Sequence, residues 1–79
     1  MPRYFFDIIE DANSVHDEKG EVFVNKKDAE TEALTVAVEM IRYGFTGKTQ
    51  NKKVEVRESG GKPFFRVRVL ARVDIERLK

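Results

Sequence analysis

The chain predicts an α+β domain of order ββαββ, with one helix packed on one face of a mostly antiparallel four-stranded sheet. Three observations carry this. From Lys26 to about Tyr43 there is no glycine or proline, and small or aliphatic residues recur at three- and four-residue spacing. Short alternating segments rich in aromatic and β-branched residues lie on either side of that stretch. Glycine-containing corners, DEKG and SGGK, divide those segments into pairs.

The first strand is RYFFDII, residues 3–9. Its alternation puts Tyr4, Phe6 and Ile8 toward the core, and Arg3, Phe5, Asp7 and Ile9 on the opposite side. EDAN marks a turn. Ser14 to His16 and Glu21 to Val24 then read as short extended pieces around the DEKG corner, where Gly20 supplies a positive φ at little steric cost. Asn25 is placed to cap the helix by accepting from the Asp28 amide. Ala29, Ala33, Val36, Ala37, Met40 and Ile41 form its apolar face. Asp28, Glu30 and Glu32 sit early and Arg42 late, as the helix dipole favours, and Gly44 is the natural stop.

TGKTQNKK is a polar connection to KVEVRES, residues 53–59, the third strand. A Gly60-Gly61 turn leads into a long strand from Phe64 to Val73. With Ser59 opposite Lys62, Val56 meets Phe65 and Val54 meets Val67 on one face; Glu55 meets Arg66, Arg57 meets Phe64 and Lys53 meets Arg68 on the other. The first and last strands are the most apolar. They are expected to be central and adjacent, in order 2-1-4-3 with a right-handed crossover.

A length of 79 residues implies one domain, residues 1–79, with a core near the lower limit for unaided folding. Hydrophobic residues at 41% beside 37% charged indicate a globular chain. Cysteine is absent, which excludes disulfides and thiolate metal sites and suits a cytoplasmic location. No signal-peptide pattern and no run near the roughly 20 apolar residues of a membrane helix is present, so a soluble protein without a membrane partner is expected. Residues 1–39 carry ten acidic and four basic side chains and residues 40–79 four and eleven, so the net charge of +1 hides opposed halves. Such a split suits an acidic or nucleic-acid partner, or two halves that complement each other in the fold.

Motifs for chemistry are sparse. GFTGKT offers Gly47, Lys48 and Thr49 to a phosphate loop, but the glycine required five residues before the Gly-Lys pair is Arg42, and the stretch ends a helix. His16 is the only histidine, and a base or metal ligand usually has further convergent groups. Asp11, Asp17, Glu18 and Glu21 lack the alternating ladder of a calcium loop. No serine occupies a nucleophile elbow. We therefore expect no catalytic residue, no metal, no cofactor and no enzyme activity.

MPRYFFDI, the DEKGE corner, the AETEA helix start and VEVRESGGKPFFRVRV together resemble a family of short alphaproteobacterial, largely rhizobial proteins grouped as a domain of unknown function. The resemblance spans nearly the whole chain. It implies a small cytoplasmic bacterial protein and no known activity or site. More loosely, the order of strand, acidic turn, strand and helix is similar to antitoxins of the HicB type, without the DNA-binding extension that many of those carry.

The remaining signal is the alternation of arginine with apolar residues in FFRVRVLARV, residues 64–73. The expected outward set is Phe5, Ile9, Phe64, Arg66, Arg68, Leu70 and Arg72, an apolar island in a charged rim. It reads as an interaction face for a protein partner or a second copy. A sequence-tolerant nucleic-acid binder using the same arginines, or a HicB-like regulator, is the alternative.

Overall fold

The structure is a computed structural model that describes residues 2–11, 13–44 and 49–78. It is an α+β fold: one helix lies on an entirely antiparallel sheet of five strands. β1 (Arg3–Glu10) is followed by two short strands, β2 (Asn13–Val15) and β3 (Glu21–Val22). Then come α1 (Lys26–Gly44), β4 (Gln50–Glu58) and β5 (Phe65–Ala71).

The expected second strand is thus two pieces on the same edge of β1. β2 pairs with its end, Ile8 to Val15, and β3 with its beginning, Arg3 to Val22. Glu10 faces Asn13, and Asp11 adopts φ 50° in the tight connection, a region aspartate tolerates. β3 and β4 are both antiparallel to β1, so they run in the same direction and α1 crosses over β1 between them.

The helix follows its sequence signals closely. Asn25 Oδ1 accepts from the Asp28 amide at 2.9 Å, the expected cap. Ala29, Ala33 and Ala37 are buried, and their small side chains let the backbone approach β4 and β5. Val36 and Met40 pack at the margin of this core, and Ile41 is more exposed. The helix reaches Gly44, and residues 45–48 of the GFTGKT stretch lie outside the described residues.

Strand order departs from expectation. The path is β2-β1-β4-β5, so β4 is central and the more apolar β5 lies at an edge. The reason is visible on both faces of β4. Val54 and Val56 are fully buried under the helix, while outward-facing Glu55 and Arg57 are engaged by charges on the adjacent strands. Alternating charge in β4 therefore marks a sheet with one covered face, not an edge strand. Phe65 and Val67, expected to be buried against the helix face, do pack on the core but are only half-buried at its margin.

The hairpin register matches the sequence reading in four pairs, Val56 with Phe65, Val54 with Val67, Glu55 with Arg66 and Lys53 with Arg68, while the expected pairing of Arg57 with Phe64 does not form. The turn itself differs. Gly61 donates its amide to Glu58 O at 3.0 Å, and Gly60, not Gly61, takes the positive φ of 69°. Phe64 donates to the carbonyl of Val56, the residue already paired with Phe65, so two residues oppose one. This β-bulge breaks the alternation. Phe64 consequently joins the helix side, stacking edge-on against Tyr4 at 5.9 Å with Lys26 Nζ above its ring at 4.7 Å. Phe23 completes the aromatic group, 6.1 Å from Tyr4 and 5.8 Å from Phe6.

Regular structure ends at Ala71, short of the expected Val73. Residues 72–78 are exposed and carry three apolar side chains, Val73, Ile75 and Leu78. The radius of gyration, 14.8 Å, exceeds the roughly 12 Å of a compact domain of this length, as a projecting segment requires.

Candidate interaction site

On the sheet face away from the helix, the register lines up three rows of side chains. Phe5 lies beside Arg57; Asp7 beside Glu55 and Arg66; Ile9 beside Lys53 and Arg68. Leu70 stands opposite Asn51. Of the seven residues expected to form one face, Phe5, Ile9, Arg66, Arg68 and Leu70 occupy it. Phe64 does not, because of the bulge. Arg72 lies past the end of β5 and pairs locally with Asp74 at 3.1 Å.

The apolar island is not formed. Phe5 is only 9% exposed: the Arg57 guanidinium covers its ring at 4.7 Å, and the chain at Gly20 closes over its edge. Ile9 is half-buried, and Leu70 is 71% exposed at the other side of the sheet. Asp7 thus stands between Phe5 and Ile9, the β4 row of Lys53, Glu55 and Arg57 separates both from the β5 side, and Phe64 is on the opposite face.

In their place the structure assembles a polar cluster that sequence reasoning missed. Between β2 and β3, the edge of β1 lacks a strand partner at Phe6. Asp17 fills that gap: its Oδ2 accepts from the Phe6 amide at 3.0 Å, and its Oδ1 accepts from the amides of Lys19 and Gly20. Asp7 Oδ1 in turn accepts from the Asp17 amide at 2.9 Å. Arg57 grips Asp7 with a two-pronged contact, Nε to Oδ2 at 2.8 Å and Nη2 to Oδ1 at 3.3 Å, and also donates to Asp17 O. Arg3 adds a bond to Lys19 O.

His16 closes the cluster. Its Nε2 lies 2.8 Å from Arg57 Nη2, and its Nδ1 is 3.4 Å from Asp7 Oδ1. Since the guanidinium only donates, Nε2 must accept, which places the imidazole proton on Nδ1 facing Asp7.

Electrostatics follow from this packing. Burial pushes the Asp7 carboxyl up, but hydrogen bonds from Arg57 and the Asp17 amide, with the charge of Arg57, outweigh it and hold it below its ordinary value. Burial likewise acts upward on Asp17, and the amides of Phe6, Gly20 and Lys19, then Arg57, bring it below its ordinary value. Hydrogen bonding to Asp7 raises Arg57 against the effect of its own burial.

The charge facing the two carboxylates is therefore a guanidinium, and both oxygens of Asp17 are committed to backbone amides. Among the described residues, no group of three or more His, Cys, Asp or Glu is placed to hold a metal ion. Two open depressions flank the helix. One lies between Glu10, Lys52 and Met40, and the other runs along Leu34 and Val38 on the outer side of α1. Among the described residues, no helix is long and apolar enough to cross a membrane.

Comparison with known proteins adds a family and no activity. No curated protein and no solved structure matches the chain. A family model described as a domain of unknown function, DUF6894, matches residues 3–71, from the start of β1 to the end of β5. The helix, all five strands and the Asp7–Asp17–Arg57 cluster fall within that match, and the chain belongs to the DUF6894 family.

Proposed function

We propose that the protein is a non-enzymatic interaction module that receives another polypeptide at the open edge of β5, beside the basic part of the outer face. One observation carries this reading: β5 ends the sheet path, so its outer edge has no strand partner among the described residues. The edge is bordered by exposed Leu70 and by the exposed apolar residues beyond Ala71. Strand addition at such an edge uses main-chain hydrogen bonds for affinity and alternate side chains for specificity. The loss of the apolar island moves the contact from the face, where the sequence suggested it, to the edge.

The test is a photo-reactive residue at position 70, with one at Glu30 as control, expressed in cells. A discrete protein adduct from position 70 and none from Glu30 supports the reading. Equal labelling from both positions, or none from either, would sink it.

The second reading is a weak nucleic-acid binder, favoured by Lys53, Arg66 and Arg68 on one face. Its two stacking platforms are both engaged, Phe5 beneath Arg57 and Phe64 against Tyr4. Binding should therefore stay in the generic range of about 10⁻⁴ to 10⁻⁶ M at physiological salt. Fluorescence anisotropy with single- and double-stranded oligonucleotides measures it. Submicromolar affinity that Arg66→Ala with Arg68→Ala abolishes would put this reading first.

A further inference from the structure

We infer that the partner received at the β5 edge is a second copy of this chain, paired antiparallel about Ala71 in a single register. The inference rests on the interaction-module reading above and names its occupant.

Backbone direction comes first. The Val56 carbonyl faces β5, where it accepts from Phe64. Val56 and Val54 pair with Phe65 and Val67, so these odd-numbered residues turn their backbone groups inward to β4. By alternation Arg66, Arg68 and Leu70 turn their amides and carbonyls to the open edge. A strand added there bonds to those three residues.

Side chains then select the strand. Residues 66–76 read RVRVLARVDIE: basic and apolar residues alternate in the first half, acidic and apolar in the second. Laid antiparallel on its own copy about Ala71, this segment places Arg66 opposite Glu76 and Arg68 opposite Asp74 of the second copy. On the helix side of the sheet, Val67 meets Ile75 and Val69 meets Val73. Leu70 lies beside the aliphatic stem of Arg72. By two-fold symmetry each contact occurs twice, as a self-complementary interface requires.

Neighbouring registers fail on charge. A pairing centred on Leu70 sets Arg68 against Arg72 of the other copy. One centred on Arg72 sets Arg72 against itself, and one centred on Val69 sets Arg66 against Arg72. Like charges directly opposite are destabilising in a sheet, so the arginines that keep arbitrary strands off this edge also reject these three registers, while a pairing centred on Val73 sets Arg68 opposite Leu78 and gives it no carboxylate.

Two features of the isolated chain point to this occupant. Lys53 and Arg68 stand directly opposite each other, with no acidic partner for either among the described residues, and Asp74 of a second copy would extend that row with the missing charge. Val73 and Ile75 are 49% and 80% exposed, and the pairing covers both. Within one chain Asp74 holds only Arg72, an exposed pair of little strength that the dimer can keep, since both lie on the same side of the strand. Because the contact uses residues beyond 71, it is a property of this chain and not of the matched family region alone.

Analytical ultracentrifugation of the full chain tests it. The wild type should sediment as a dimer at micromolar concentration. Arg68→Asp and Asp74→Arg should each weaken the dimer about tenfold or more, since each alters two symmetry-related pairs. Combining them should restore it, because the 68–74 pair is remade with its charges exchanged. Leu70→Pro removes an edge amide and should give a monomer with the circular dichroism of the wild type, its melting independent of protein concentration where that of the wild type is not. A wild type that stays monomeric at high micromolar concentration overturns the inference, as does a double swap that fails to recover. If position 70 then cross-links a different protein, the module reading stands without the dimer; if it cross-links nothing, both fall.

Discussion

Replacing Asp17 with alanine should destabilise the domain far more than its half-buried position on a loop suggests. The carboxylate stands in for a missing strand at the Phe6 amide and also holds the amides of Lys19 and Gly20. A hydrogen bond to a charged acceptor contributes about 1.5–3 kcal/mol when the donor is left without a substitute. Phe6 is partly buried on β1, so its amide bears most of that loss; the exposed Lys19 amide turns to water and adds little, and the part-buried Gly20 amide lies between the two. The expected cost is about 2–3 kcal/mol, against a total of roughly 4–12 kcal/mol for a domain of this size. At roughly 4–8 °C per kcal/mol, the melting temperature should fall by about 8–24 °C. Asp17→Asn retains one acceptor oxygen and should fall between the two. Thermal and urea melts followed by circular dichroism give the stability, and native-state hydrogen exchange gives the site. The Phe6 amide should exchange much faster in the alanine variant, while amides in the centre of β4 change only with global stability. A variant that melts within about 2 °C of wild type would refute the reasoning, because the loop would then be an appendage and not part of the sheet edge.

Further expectations concern the same framework. Gly20→Ala should cost about 1–2 kcal/mol from its φ of 66° alone, and more from a Cβ placed 2.8 Å from the Tyr4 carbonyl; Gly60→Ala, with a similar φ and open space around it, separates the two contributions in parallel melts. Asp7 and Asp17 both have folded-state values below their ordinary ones, so the native state binds fewer protons than the unfolded chain in that range. Their contribution is complete above the ordinary carboxylate value near 4 and is lost as pH falls through the lowered values, which urea melts from neutral pH to pH 2 should show as a steep acid decline that Asp17→Ala flattens. Val54→Ala removes two methyl-sized groups from the fully buried centre of the core and should cost about 2–3 kcal/mol. Phe65→Ala, at the core margin, should cost less per atom removed, and the reverse order in urea melts would place β5 and not β4 at the centre.

What the sequence by itself determined is the local and pairwise structure. The helix, its Asn25 cap and its alanine face follow from spacing within a few residues. So does the β4–β5 register, because a short turn ties the two strands and one slip would turn every valine outward. The assignment of Tyr4, Phe6, Val54 and Val56 to the helix side followed from alternation alone. Only the tertiary structure decided the strand order, the reversal of Phe64 and the Asp7–Asp17–Arg57–His16 cluster. Apolar content ranked β5 above β4, yet centrality depends on what covers both faces, and β4 covers its outer charges with Asp7 and Arg66 supplied by its neighbours. Asp7 and Arg57 are 50 positions apart in the chain, and each looks like an ordinary exposed charge until β1 and β4 are placed side by side. The signal was present, an aspartate in an otherwise apolar strand and an arginine in another. It became readable only once the right strands were neighbours, because a charge partner across a sheet is chosen by long-range pairing and leaves no periodicity in the chain.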